Sequence, residues 1–306
     1  MKWRKLGLVW RNDATQPWSR SHAMGPTPFR LDDRTIRVFV TCLDEQGRGR
    51  PGYVDVDATD PTRVLGVSSD AVMDIGEPGS FDDNGLMPLS IVRVPSGDLW
   101  MYYSGFEICT RIRYRILSGV AVSNDNGATF RRLSSTPVLE RTDTERFFRG
   151  GPFAMVDQGV FRLWYVAGSE WTMLNGKAMP VYDLRYQESA DGVTWGDTGT
   201  LSMALTGADE HGFGRPWVVK SERGYQLFYS IRKRSLGAYR LGYAESADGL
   251  HWVRKDEEMG LDVEDGDLAS EAIMYSAVIE SCGKTYCFYN GNNFGEQGFC
   301  VAELIP

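Results

Sequence analysis

Cysteine is scarce in this chain and poorly arranged for a framework. There are five, Cys42, Cys109, Cys282, Cys287 and Cys300, an odd number with no C-x-x-C pair. That argues against a disulfide scaffold and against a structural zinc site. The five read as reduced, mostly packed thiols of a cytoplasmic protein. Long apolar runs are also missing, since no stretch approaches the about 18 residues of a membrane span. The opening MKWRKLGLVWRND lacks the apolar core of a signal peptide. Positive charge is in deficit: 33 basic residues face 41 acidic ones, a net charge of −8. A nucleic-acid or anionic-membrane surface needs a basic patch, so neither partner is expected. Histidine occurs three times, without ligand spacing, so no metal and no cofactor are expected. Helical periodicity of any length is absent.

What remains is aromatic and alternating. The chain has 9 Trp, 14 Tyr and 14 Phe in 306 residues, with 42% hydrophobic and 24% charged residues. These are globular values. Aromatic side chains suit half-buried strands, and a few could stack on a sugar ring. The stretch 81–106, FDDNGLMPLSIVRVPSGDLWMYYSGF, reads as two strands around a Pro/Gly turn. Its second strand recurs as RVFVTC (37–42), RLWYVAG (162–168), QLFYSIR (226–232) and TYCFYNG (285–291). Anchored on Val40, Tyr103, Tyr165, Tyr229 and Tyr289, these copies lie 60 to 64 residues apart. A second signal, SNDNGATF (123–130), SADGVTW (189–195) and SADGLHW (246–252), places Ser, Asp and Gly before an aromatic residue. Asp bonds nearby backbone N–H groups and Gly accepts positive φ, so each is a tight turn leading into a strand.

Each copy therefore reads as four antiparallel strands, and radial repetition of such units makes a β-propeller. The expectation is an all-β, five-bladed propeller forming one domain over 1–306. The blades fall near 24–70, 84–134, 149–200, 214–256 and 271–304. The last copy runs out of chain after three strands, and WRKLGLVW (3–10) is free to supply its fourth, which would remove an open edge.

In a propeller, the starts of first strands and the ends of second strands meet on one face. The polar residues there are the candidate site. First-strand starts offer His22, Asp82, Asp83, Glu145, Arg149, Glu210, His211, Arg215, Glu271 and Tyr275. Second-strand ends offer Glu107, Glu170, Trp171, Arg232, Asn290 and Asn292. Paired carboxylates across a cleft suit glycosyl chemistry. Arginines suit carboxylate or phosphate groups. Structural alternatives stand beside each reading. Asp82-Asp83-Asn84-Gly85 also reads as a turn, Glu271 as an ion-pair partner of Arg149 or Arg215, His211 as an exposed loop residue, and Asn290 to Asn293 as turn chemistry.

The repeat, the S-x-D-G turns and the first-strand carboxylates resemble the five-bladed propeller glycosidases, the clan holding families 43 and 32. More closely, DDNGLMP (82–88), YRLGYAESADGLHW (239–252) and FYNGNNFGEQGF (288–299) resemble glycosidase-like proteins met alongside surface-sugar biosynthesis genes. The resemblance implies a sugar pocket at the propeller centre, with carboxylates from the first strands of the first three blades. Only the second blade matches, through Asp82 or Asp83. The first offers Ser21-His22-Ala23-Met24 and the third Phe147-Phe148-Arg149-Gly150, with Glu145 just upstream. The expected roles are then Asp83 as base or nucleophile, with Asp82 beside it. Glu271 is the expected acid and Glu210 its competitor. Arg149, Arg215 and Arg232 are expected to hold an anionic part of a sugar or sugar-phosphate substrate. A non-catalytic carbohydrate-binding propeller and a protein-interaction scaffold are the alternatives.

Overall fold

The computed structural model describes residues 1–305, and nearly all of its regular structure is strand. Strands adjacent in sequence pair antiparallel, in groups of four. The first group is Ser21–Arg30, Thr35–Leu43, Gly49–Asp57 and Val64–Val67. The second is Leu86–Arg93, Leu99–Ile108, Tyr114–Ser123 and Arg131–Arg132. The third is Phe148–Asp157, Val160–Leu174, Lys177–Ser189 and Thr200–Met203. The fourth is Glu210–Ser221, Gly224–Lys233, Ala238–Ser246 and Val253–Arg254. The last takes Met274–Ser281, Lys284–Asn290 and Phe299–Leu304, and Trp3–Trp10 pairs with the outermost of these, Trp3 opposite Leu304 and Trp10 opposite Phe299. The N-terminal strand does cover that edge.

Each group's first strand packs against the first strand of the next group, and that of the last group against that of the first. The first strands therefore ring one axis. Short parallel contacts join third strands to the next first strands, Ile116 to Phe148 and Tyr182 to Gly212.

Local chemistry accounts for the repeat. In the Ser/Asp/Gly turns, Ser189 Oγ accepts from the Gly192 amide (3.0 Å) and donates to Asp191, which accepts from the Val193 and Thr194 amides. Ser246 and Asp248 repeat this geometry, and Ser123 and Asp125 a close variant. The anchor tyrosines 103, 165, 229 and 289 are fully buried. Three of their hydroxyls are tied to carboxylates that are in turn paired with arginine. Tyr103 donates to Asp82, which pairs with Arg132 at 2.7 Å. Tyr165 donates to Glu145, paired with Arg149 at 2.6 Å. Tyr229 donates to Asp256, paired with Arg254 at 2.6 Å. A buried phenol needs such a partner.

Candidate functional site

The first strands are not regular. Each slips register near the axis, between Met24 and Thr27, Pro88 and Ser90, Gly150 and Phe153, Gly214 and Trp217, and Met274 and Ala277. Such bulges bend a strand and re-aim its side chains. In four of the groups the first residue inside the slip is left-handed. Gly25 (φ 61°) and Gly151 (φ 66°) adopt this without a Cβ penalty, but Arg215 (φ 42°) and Tyr275 (φ 60°) do not. Non-glycine residues in this region are strained, and such strain gathers at functional sites. The amides of three of these residues are capped by the residue after an anchor tyrosine of the preceding group. Ser104 takes Gly151, Ser230 takes Tyr275 and Asn290 takes Gly25.

The bulges border a cavity of about 1070 Å³. Five cationic side chains line it, Arg113, Lys177, Arg215, Arg232 and Arg240. Tyr114, Tyr182, Tyr239 and Tyr275 line it too, and Glu271 is the one carboxylate among its described lining residues. The overall charge is −8, so the cavity runs against the sign of the whole molecule. A concave, partly apolar wall focuses such a local field.

Three of the arginines, Arg113, Arg215 and Arg232, have no acidic partner among the described residues, and Arg215 and Arg232 carry buried nitrogens. Arg215 is 2% exposed and donates to the Pro26 and Tyr275 carbonyls (2.7 and 2.9 Å) and to Thr27 Oγ1 (2.7 Å), with no carboxylate within ion-pair reach among the described residues. Burial pushes its pKa down to about 9. Arg232 Nη1 is buried without a hydrogen-bond partner, and the guanidinium lies 4.8 Å from the centre of the Tyr239 ring. Burial works against the Arg232 charge, and the phenol oxygens around it, Tyr182 and Tyr239 foremost, favour it. The Tyr182 and Tyr239 hydroxyls are 3.2 Å apart. Burial raises the pKa of Tyr182 and of Tyr275, so both stay protonated and can donate. His211 lines the cavity as well. Its Nδ1 lies 3.1 Å from the Pro180 carbonyl, which can only accept, so Nδ1 carries the proton. Burial lowers its pKa, and the neutral ring leaves Nε2 as an acceptor.

Of the residues singled out in the sequence, the cavity brings together His211, Arg215, Arg232, Glu271, Tyr275 and Asn292. The others lie off it, and the expected carboxylate pair is not assembled. Asp82 is fully buried in its tie to Tyr103 and Arg132. Asp83 is not at the cavity, and it accepts from the Gly79 amide at 2.8 Å in the preceding loop. Glu210 is gripped by both Nη atoms of Arg254. Arg149 is 3% exposed and spent on Glu145 and the carbonyls of Glu140 and Gly196. Asp82 and Arg149 belong to the buried tyrosine–carboxylate–arginine tie that recurs in three of the groups, and that periodicity looks like a catalytic pattern in one dimension.

The other singled-out residues are engaged as follows. Glu107 pairs with Arg115 at 2.6 Å. Glu170 borders a separate hollow of about 330 Å³ shared with Glu145 and Asp183. Trp171 packs behind the wall, 5.3 Å from Phe148 and 6.0 Å from Tyr114 between ring centres. His22 lies off the cavity lining, its Nδ1 2.8 Å from Ser21 Oγ. Asn290 spends its amide on Gly25, Ala23 and Gly298, and Asn292 on Glu271, Ala272 and Ser270.

Sequence reasoning missed Tyr114, Tyr182, Tyr239, Arg113, Lys177, Arg240 and Phe294. A signal for two of them exists. Tyr182 and Tyr239 each lie three residues ahead of Arg185 and Gly242, the register partners of Tyr165 and Tyr229. Third strands therefore reach the cavity as well as first and second ones.

No family model matches the sequence. Among curated proteins it is 31% identical over 304 residues to the uncharacterized protein Rv1502 of Mycobacterium tuberculosis (strain ATCC 25618 / H37Rv), covering 99% of both chains. The chain belongs to the Rv1502 family. MT1551 of strain CDC 1551 / Oshkosh matches to the same extent. Among solved structures, a glycoside hydrolase superposes with a TM-score of 0.77 at 18% identity, over 99% of this chain and 91% of that one. A thermostable family-43 glycoside hydrolase gives 0.67 at 15%, over 97% and 93%. A member of the GH130 family, whose mannoside phosphorylases include hydrolases targeting β-1,2 mannosidic linkages in Candida mannan, gives 0.67 at 16%, over 98% and 91%. These likenesses show a propeller-like glycosidase fold, which the sequence motifs led one to expect.

Proposed function

We propose that the protein is a single-domain, five-bladed propeller that binds a saccharide bearing a phosphate or carboxylate group in the central cavity and acts on its glycosidic bond. The observation that carries this is the pair of cavity-lining guanidiniums, Arg215 and Arg232, with no acidic partner among the described residues. A buried charge left unpaired is costly, so a ligand anion is its natural complement. The tyrosine hydroxyls and His211 Nε2 supply hydrogen-bonding groups for sugar hydroxyls. The glycosidase fold supports carbohydrate as the class.

Transfer to or from phosphate fits this cavity better than hydrolysis. Hydrolysis in the two-carboxylate manner needs a base or nucleophile besides the acid, and among the described residues the cavity offers only Glu271. A phosphate oxygen already carries negative charge. Held by arginine, it can attack the anomeric carbon without a base while Glu271 protonates the departing sugar oxygen. A phosphorylated substrate and five unbridged thiols suit a cytoplasmic setting. Binding without turnover is the second reading. It is favoured by the exposed position of Glu271 and by the commitment of Asp82 and Glu210 to ion pairs.

The test is titration calorimetry with inorganic phosphate and with the 1-phosphates of glucose, galactose and mannose, using the native protein and Arg232→Met. Binding that weakens at least tenfold in the variant supports the reading. Absence of binding by the native protein refutes it. Mass spectrometry of products formed with and without phosphate separates transfer from binding alone.

A further inference from the structure

The chain turns sharply after the last group's second strand, and this turn reaches the cavity. Asn293 (φ 51°, ψ 39°) and Phe294 (φ 59°, ψ 30°) are both left-handed, and Gly295 follows at φ 81°. A β-carbon disfavours this region, and two consecutive non-glycine residues in it are rare. The strain is not offset by burying the ring, because Phe294 is 41% exposed. The turn is nevertheless held firmly. Asn292 Oδ1 accepts from the Glu271 and Ala272 amides, each at 2.9 Å, and Asn290 Nδ2 donates to the Gly298 carbonyl at 3.1 Å. At Gly295 no other residue fits, since a Cβ would lie 2.2 Å from Asn290 Nδ2.

What the turn achieves is the placement of one aromatic ring at the cavity wall. Phe294 meets Tyr239 edge-on, with centres 6.2 Å apart, and Tyr275 at 6.3 Å with a 37° tilt. All three rings line the cavity. Glu271 lines it too, and its carboxylate has no protein partner among the described residues, while its backbone is fastened to Asn292 and to Arg240 Nη1. An exposed aromatic plate near an unengaged carboxylate matches a pyranose. The C–H face of the sugar packs on the ring and its hydroxyls donate to the carboxylate.

We propose that Phe294 is the stacking platform for a second sugar ring, so that the ligand is an anionic saccharide of at least two residues. Its charged end lies on Arg232, its outer ring on Phe294 and outer hydroxyls on Glu271. This rests on the anionic-saccharide reading above. Strain at Phe294 is the cost of holding the plate in place before the ligand arrives.

The test compares native protein, Phe294→Ala and Phe294→Gly by calorimetry. The probes are the 1-phosphates of glucose, galactose and mannose and the 1-phosphates of maltose, lactose and mannobiose. The expected result is that the best-bound disaccharide phosphate loses about tenfold in affinity in both variants, while monosaccharide phosphates change less than twofold. Phe294→Gly should also melt at a higher temperature than Phe294→Ala, because glycine adopts the left-handed turn freely. That comparison separates loss of the ring from loss of the turn. Equal disaccharide affinity in all three proteins overturns the platform and leaves the anionic-saccharide reading standing. Failure of every probe to bind the native protein overturns both.

Discussion

Replacing Asp82 by Asn separates a structural carboxylate from a catalytic one. Asp82 is fully buried, and its Oδ2 accepts from Tyr103 Oη at 3.1 Å and Arg132 Nε at 2.8 Å, with Arg132 Nη2 2.7 Å away in the ion pair. Asparagine keeps the shape but removes the charge, leaving Arg132 without its anion. Breaking a buried pair by removing one partner costs about 3–5 kcal/mol. The Arg132 side chain is 23% exposed and keeps a hydrogen bond to the Asp74 carbonyl, so about 2–4 kcal/mol is the better figure. Unfolding entropy of about 2.1 cal/mol/K per residue gives a chain of 306 residues about 0.64 kcal/mol/K. The expected fall in Tm is then about 3–6 °C, read by scanning calorimetry. Phosphate and sugar-phosphate affinities should stay within about twofold of native. Asp83→Asn, whose amide oxygen can still accept from the Gly79 amide, should shift Tm by under about 1 °C and leave binding unchanged. Native-like melting of Asp82→Asn combined with loss of saccharide binding would refute the reasoning and return Asp82 to the site.

Two further outcomes follow from the same geometry. Arg232→Met should melt at or above the native temperature although it loses anion binding, because a guanidinium with a buried, unpartnered nitrogen is exchanged for an apolar side chain. A fall of several degrees would show that Arg232 is structural. Acid should destabilise the protein through its turn aspartates. Burial opposes the charge of Asp125, but hydrogen bonds from Ser123 and Thr129 bring its pKa down to about 2. Backbone bonds from Thr194 and from His251 hold Asp191 and Asp248 lower still. A folded pKa below the unfolded one gives stability that is complete above about pH 4 and is lost as pH falls through the folded values. Tm measured from pH 5 to pH 2 should therefore drop, and Asp191→Asn should flatten part of that slope.

The fold was far more legible than the site. Alternating strands, the anchor tyrosines and the Ser/Asp/Gly turns are short-range patterns, so their chemistry can be seen within a few residues. Even the pairing of Trp3–Trp10 with Phe299–Leu304 follows from a copy that lacks one strand. Glu271, Arg215, Arg232, His211, Asn292 and Tyr275 were placed at the cavity because strand ends on one face converge there. The third-strand tyrosines reach the cavity through the pairing of third with second strands, which acts beyond a few residues.

Carboxylate function was the part that one dimension concealed. Asp82 meets an arginine 50 positions later and Glu210 one 44 positions later. Nothing local distinguishes a carboxylate so neutralised from one that faces a substrate. The sequence by itself determined the repeat, the strand order and the closure of the last group, since hydrophobic alternation and turn chemistry act over a few residues. Tertiary structure alone decided which charges remain unpaired at the centre. Ion pairing is settled by who is adjacent after folding, and bulges at Arg215 and Tyr275 turn side chains that a regular strand would have aimed elsewhere.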